Sequence, residues 1–143
     1  FLVDAHDGRV LMNCRTTSGS PRAQLVWHPK RKSLHEQASQ FTHGAVGNGG
    51  PPVTACQGSL VRFAGAHYIS YPSSQFRRRE LRVYRSTDGG ASWNSIKQVW
   101  GGPSAYSQLV PLDESTGLMG LLLEAGHGSP YEAIEFVSFK VPK

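Results

Sequence analysis

Apolar and polar positions along the chain follow a recurring plan. A Leu-Val pair opens a short apolar run, a polar turn follows, and a second apolar run returns. The plan appears as LVDAHDGRVLMNCR from Leu2, LVRFAGAHYISYP from Leu60 and LVPLDESTGLMGLLLE from Leu109. Short apolar runs bounded by Asp, Gly and Ser read as strands, and two of them joined by a polar turn read as a hairpin. The starting points lie near the roughly 40- to 50-residue period of propeller blades, so each hairpin is expected in its own blade. AQLVWH from Ala23, LRVYRS from Leu81 and IEFVSFKV from Ile134 add strands rich in β-branched and aromatic residues. No stretch offers a convincing amphipathic helix; SLHEQASQ from Ser33 is the best helical candidate, and HGAVGNGGPP from His43 reads as a connection between units. The pattern is all-β and repetitive. A two-sheet sandwich with similar strand spacing is the alternative.

One turn is specific enough to read residue by residue. In RSTDGGASW, from Arg85 to Trp93, a strand ends, the chain reverses and another strand begins. Asp88 can accept bonds from backbone N–H groups further along, and Gly89 and Gly90 tolerate positive φ without a Cβ penalty. Trp93 can then lay its ring back on the hairpin and bury a large apolar area while Ser86 bonds the turn from the other side. These are structural roles.

Composition narrows the class further. The 143 residues suit one domain, and a start at Phe1 inside an apolar run points to a piece of something longer. The 38% hydrophobic content with 16 glycines and 9 prolines fits a turn-rich fold, and no apolar run approaches the roughly 18 residues that cross a bilayer. A net charge of +5 favours anionic partners without naming one. Cys14 and Cys56 have no CxxC spacing, so neither a zinc ribbon nor a redox pair is indicated and their pairing stays open. LHEQAS at His35 begins like HExxH but has Ser39 where the second histidine must stand, so a zinc site fails there. The basic runs at Lys30 and Arg77 lack interleaved aromatics and read as solvated charge, so no nucleic-acid partner is expected. No N-x-S/T acceptor is present.

Two sets of residues carry a resemblance to a known family. Ser86-x-Asp88-x-Gly90-x-x-Trp93 is similar to the Asp box, a turn motif repeated in sialidases and some other propellers. DGRVLMNCR, ACQGSLVRF, FRRREL, GGPSAYSQLVPL, GLLLEAG and YEAIEFVSF, in that order, resemble the C-terminal half of an exo-α-sialidase (neuraminidase). The likeness runs nearly from end to end and is weakest between Thr16 and Thr54. It implies the C-terminal blades of a six-bladed β-propeller, within a single domain, and the hydrolysis of terminal α-linked sialic acids with retention.

Each site residue also has a bland reading. Tyr106 alone would be a strand tyrosine with a satisfied hydroxyl, because a phenol with pKa near 10 is a poor nucleophile without a base. The resemblance makes Tyr106 the nucleophile, and chemistry supports that choice. The substrate bears a carboxylate on its anomeric carbon, which would repel an attacking Asp or Glu but not a neutral phenol. Sialidases with a tyrosine nucleophile depart from the two-carboxylate rule of most glycosidases. Arg15 and Arg78 otherwise read as surface charge; the resemblance makes them two members of an arginine triad that clamps the sugar carboxylate with a planar donor fork. Arg77 and Arg79 flank Arg78, and strand alternation would turn Arg78 away from both. Glu124 ends an apolar run and needs a cation or hydrogen bonds nearby. The resemblance gives it the task of orienting the triad's first arginine, although the family's usual Tyr before it is Leu123 here. Gln57 reads as a turn residue or, by resemblance, a pocket residue.

The same resemblance places the acid/base aspartate, the first arginine and the tyrosine-activating glutamate before Phe1. Asp4 is not that glutamate but a strand acid preceding a turn. The segment alone is therefore expected to be inactive. Sialylated glycoproteins, glycolipids or oligosaccharides are the implied substrates, with no metal or organic cofactor. A lysosomal, plasma-membrane-associated, cytoplasmic or secreted bacterial source all remain open. The rival class is a non-catalytic propeller module that binds acidic glycans through its arginines.

Overall fold

The structure is a computed structural model that describes residues 2–4, 8–15, 22–36, 56–74 and 77–142. Ten strands form among them: β1 (Leu2–Asp4), β2 (Val10–Cys14), β3 (Ala23–His28), β4 (Ser33–Glu36), β5 (Ser59–Phe63), β6 (Ala66–Pro72), β7 (Arg79–Ser86), β8 (Asn94–Asp113), β9 (Leu118–Ala125) and β10 (Ala133–Lys140). The three Leu-Val repeats are the antiparallel hairpins β1–β2, β5–β6 and β8–β9. Asp4 is the last residue of β1. The proposed connection from His43 lies outside the described residues.

The strands make a four-stranded sheet, β1-β2-β3-β4, and a six-stranded sheet, β10-β9-β8-β7-β6-β5. β8 belongs to two neighbourhoods. Its first half pairs with β7 from Arg85↔Asn94 to Arg79↔Pro103, and its second half pairs with β9 from Ser104↔Ala125 to Asp113↔Leu118. The larger sheet is thus two antiparallel units joined through one continuous strand.

Burial shows how the units stack. One apolar cluster joins Leu11 and Val26 of the first sheet to Leu60, Ile69, Tyr71, Tyr84 and Trp93. A second joins Phe63, Tyr68, Leu81 and Val83 to Leu109, Met119, Leu121 and Leu123. β6 is buried along its whole length because successive side chains of a strand point to opposite faces. Ile69 and Tyr71 feed one cluster, and Tyr68 feeds the other. Each such side chain withdrawn from water contributes roughly 1.5–3 kcal/mol, so β6 is the seam on which the units close.

The turn after β7 is built by its side chains. Ser86 Oγ donates to Asp88 Oδ1 at 2.8 Å and accepts from Gly90 N at 2.9 Å, while Ser92 N donates to Asp88 Oδ1 at 2.9 Å. Gly89 and Gly90 sit at φ 73° and 92°. Trp93 Nε1 donates to Gly90 O at 2.9 Å, and its ring is buried in the first cluster. Gln24 Nε2 donates to the same carbonyl at 2.8 Å, which ties this hairpin to the neighbouring sheet.

The sequence predicts no convincing helix, and the described part of the best helical candidate is a strand. Ser33–Glu36 is β4, paired with β3 from His28↔Ser33 to Leu25↔Glu36, and Gln37–Gln40 lie outside the described residues. Pro29 opens a tight reversal in which Arg31 N donates to His28 O, and Lys32 adopts φ 47°. A returning chain beside an open strand edge gains ladder bonds at every step, whereas a few residues of helix must first nucleate at a loss. The basic run at Lys30 is this exposed turn.

Candidate active site

Tyr106 stands on a break in the β8–β9 ladder. Ser104 pairs with Ala125 and Ser107 with Leu123, so Ala105 and Tyr106 together face Glu124 across a bulge. A bulge bends its strand and re-aims a side chain. Ala105 and Ser107 are buried, whereas Tyr106 remains 39% exposed. The backbone amides of Tyr106 and Ser107 are each taken by a side chain. Tyr106 N donates to Glu124 Oε2 at 3.0 Å, and Ser107 N donates to Gln57 Oε1 at 3.1 Å. Ser107 Oγ also meets Ser70 Oγ at 2.9 Å, and Leu109 N donates to Ser59 Oγ at 3.0 Å. The start of β5 is therefore stitched to the strand that carries Tyr106.

Two guanidinium groups reach the same tyrosine. Arg15, just beyond the end of β2, donates from Nη1 to Tyr106 Oη at 3.2 Å. Arg78 lies with Cζ 5.5 Å from the centroid of the Tyr106 ring and donates from Nη1 to Tyr131 Oη at 2.6 Å. Arg78 does not take this direction from strand alternation, as the sequence pattern had implied. It sits with Arg77 in a bend ahead of β7, and its carbonyl accepts from Ser104 N at 2.9 Å, which pins the bend to β8. Partial burial works against the charge of Arg78, but the Cys56 thiol and the phenols of Tyr131 and Tyr106 hold its pKa above the ordinary guanidinium value. An N–H fork donating to a phenol oxygen stabilises negative charge that develops there, and the second fork beside the ring adds an anion-binding edge.

Sequence reading missed a third arginine. Arg22 is buried, donates from Nε to Asn13 Oδ1 at 2.6 Å and from Nη1 to Cys56 O at 2.7 Å, and has Cζ 5.2 Å from the centroid of the Tyr71 ring. Burial lowers its pKa against the favourable field of Tyr71. It falls in the stretch where the family resemblance is weakest, and only its place directly before an apolar strand could have marked it. Burial likewise pushes the Cys56 thiol up, and both Cys14 and Cys56 are free thiols.

The five residues expected at a site gather around Tyr106. Arg15, Arg78, Glu124 and Gln57 all meet Tyr106 or its immediate neighbour. A cavity of about 290 Å³ lined by Asn13, Arg15, Arg22, Gln57 and Tyr106 opens on one side. A second of about 290 Å³ lined by Gln57, Tyr106, Leu122, Glu124 and Ile134 opens on the other. Glu124 is turned to the backbone of Tyr106, and Leu123 beside it is buried in the core opposite Ser107. Among the described residues no cluster of His, Cys, Asp and Glu has the makings of a metal site.

No protein-family model and no curated protein matches the sequence. Solved structures do. The chain superposes on Hadza microbial sialidase Hz136 with TM-score 0.73 at 22% identity, covering 98% of this chain and 27% of that one. It has a sialidase-like fold. The intramolecular trans-sialidase of Ruminococcus gnavus follows with TM-score 0.68 at 17% identity over 99% of this chain and 32% of its own. Trypanosoma rangeli sialidase, solved with sialic acid, gives 0.62 at 17% identity over 96% and 22%. The chain thus spans between about a fifth and a third of these structures. No helix of the described residues is long and apolar enough to cross a membrane.

Proposed function

We propose that this chain supplies the C-terminal blades of a six-bladed propeller sialidase that releases terminal α-linked sialic acid from glycoproteins, glycolipids or oligosaccharides. The observation that carries the reading is the meeting of Arg15, Arg78 and Glu124 on Tyr106 from remote parts of the sequence. The Ser86–Trp93 turn serves as its Asp box and has a purely structural role.

In this reading Arg15 and Arg78 hold the sugar carboxylate, and the oxygen of Tyr106 bonds to C2 as the bond from C2 to the aglycone oxygen breaks. The phenol proton passes to a base and the departing oxygen takes one from an acid, both supplied from outside this segment. Water then displaces the tyrosine, and two displacements at one carbon retain its configuration. Glu124 and Gln57 fix the position of the nucleophile by bracing the amides on either side of it. In this reading the segment alone is expected to be inactive.

Replacing Tyr106 by Phe in the full chain tests this. Hydrolysis of an aryl α-sialoside is expected to fall by roughly a thousandfold or more, as for loss of a covalent nucleophile. Unchanged turnover removes the assignment, and binding of sialosides without any turnover by the intact full chain favours a glycan-binding module instead.

A further inference from the structure

The loop between β9 and β10 is constructed around one carboxylate. Glu132 accepts from His127 N at 2.8 Å, Gly128 N at 2.9 Å and Ser129 N at 2.7 Å. These amides depress the Glu132 pKa below the ordinary carboxylate range, so the loop keeps its brace through neutral pH. A Cβ at Gly126 would overlap Ser129 O and Glu132 Oε2, so the close turn demands glycine there. Gly126 in turn anchors the loop to β8, since its amide donates to Pro103 O at 3.1 Å and its carbonyl accepts from Trp100 Nε1 at 3.3 Å.

The product of this construction is the position of Tyr131. Its ring is 62% exposed, so packing does not explain its place. Its amide is held by Ser129 Oγ at 3.3 Å, and its hydroxyl oxygen accepts from Arg78 Nη1 at 2.6 Å. The backbone of Arg78 is fixed independently, through Ser104 N, at the residue that follows Pro103. Both ends of Arg78 are therefore referred to the same short stretch of β8, one directly and one through the loop.

We infer that Tyr131 is a positioning residue that sets the guanidinium of Arg78 over Tyr106 and so determines selectivity for a carboxylate-bearing ligand. An arginine left to itself on an exposed rim pays rotamer entropy to dock an anion, and a held fork does not. With Nη1 committed to Tyr131, the remaining donors present one planar edge. The inference rests on the sialidase reading for the identity of the ligand, and its geometry stands on the loop.

The test compares the full chain with Tyr131→Phe, Arg78→Met and the double variant, on an aryl α-sialoside and on its methyl ester. Tyr131→Phe deletes one oxygen from an exposed ring and leaves the fold intact. KM for the free acid should rise about tenfold with kcat nearly unchanged, as expected for one lost hydrogen bond to a charged group. The effect should vanish on the ester and be absent in the Arg78→Met background. Glu132→Gln, which loosens the loop, should reproduce part of the KM rise. Unaltered KM in Tyr131→Phe, or a full tenfold effect added to Arg78→Met, overturns the inference while leaving the sialidase reading in place. A wild-type chain that does not distinguish acid from ester overturns both.

Discussion

The side chain of Arg22 donates through Nε to Oδ1 of Asn13 at 2.6 Å, and this buried contact spaces two strand ends that serve the site. Asn13 precedes Arg15 by two residues on one strand end, and Cys56, whose carbonyl takes Nη1, directly precedes Gln57. Arg22→Met removes the donor that Asn13 Oδ1 and Cys56 O share. Unfolding by urea should show a loss of about 2–4 kcal/mol, for two buried hydrogen bonds lost with their charged donor. Arg22→Lys should recover only part of it, because one ammonium cannot reproduce the fork that reaches both oxygens. An unshifted midpoint for both variants would remove Arg22 from the architecture.

Gly89 and Gly90 share a left-handed backbone, but only one is crowded. A Cβ at Gly90 would come 3.0 Å from Leu11 Cδ2 and 3.1 Å from Gln24 Nε2, whereas one at Gly89 would meet nothing within 4 Å. Gly89→Ala should cost about 1 kcal/mol for the φ alone. Gly90→Ala should cost more, about 2–3 kcal/mol, since it also pushes the first sheet away from the turn. Thermal unfolding of the two variants decides the order, and equal losses would show that Leu11 gives way freely.

Much of this architecture could be read from the residues alone. Paired apolar runs around polar turns announced the three hairpins, and the roles of Ser86, Asp88 and Trp93 follow from side-chain chemistry that acts within a few residues. What depends on distant pairing was less legible. Ser33–Glu36 has no strong strand signal of its own and becomes β4 because β3 offers it an edge. The bend that points Arg78 at Tyr106 comes from Ser104 N, a bond between residues remote in sequence. The apolar run before Glu124 marked an acid in need of partners, but that a backbone amide of a bulge would be one of them is visible only once β8 and β9 are in register. Tyr131 and Arg22 carry no local mark, since an exposed tyrosine and an arginine before a strand are common.

Acid should loosen the Ser86–Trp93 turn in a defined window. Partial burial alone would raise the pKa of Asp88, but bonds from the Ser92 side chain and amide and from Ser86 outweigh it and bring the pKa below its ordinary value. A carboxyl depressed on folding adds stability above the unfolded pKa, near 3.9, and loses it as pH falls through the lower folded value. The wild type should therefore exceed Asp88→Asn in stability at pH 5–7, and the gap should close below about pH 3.9. A gap that persists unchanged into strong acid would assign the effect to shape rather than charge.

Glu124 offers the sharpest separation of geometry from charge. Its Oε2 holds the Tyr106 amide, a task that needs an acceptor and no charge, whereas orienting an arginine from outside this segment would need the carboxylate. Glu124→Gln keeps an acceptor of the same reach, and Glu124→Ala leaves the bulge amide to water. Small displacements of a reacting group cost on the order of a hundredfold in rate, so Glu124→Ala in the full chain should lose about that much in kcat on an aryl sialoside. Glu124→Gln should lose about tenfold, retaining the bulge while giving up the negative charge. Equal losses in the two variants would show that the charge carries the whole effect. The brace on Tyr106 would then be incidental, because only an interaction absent from both variants can cost them the same.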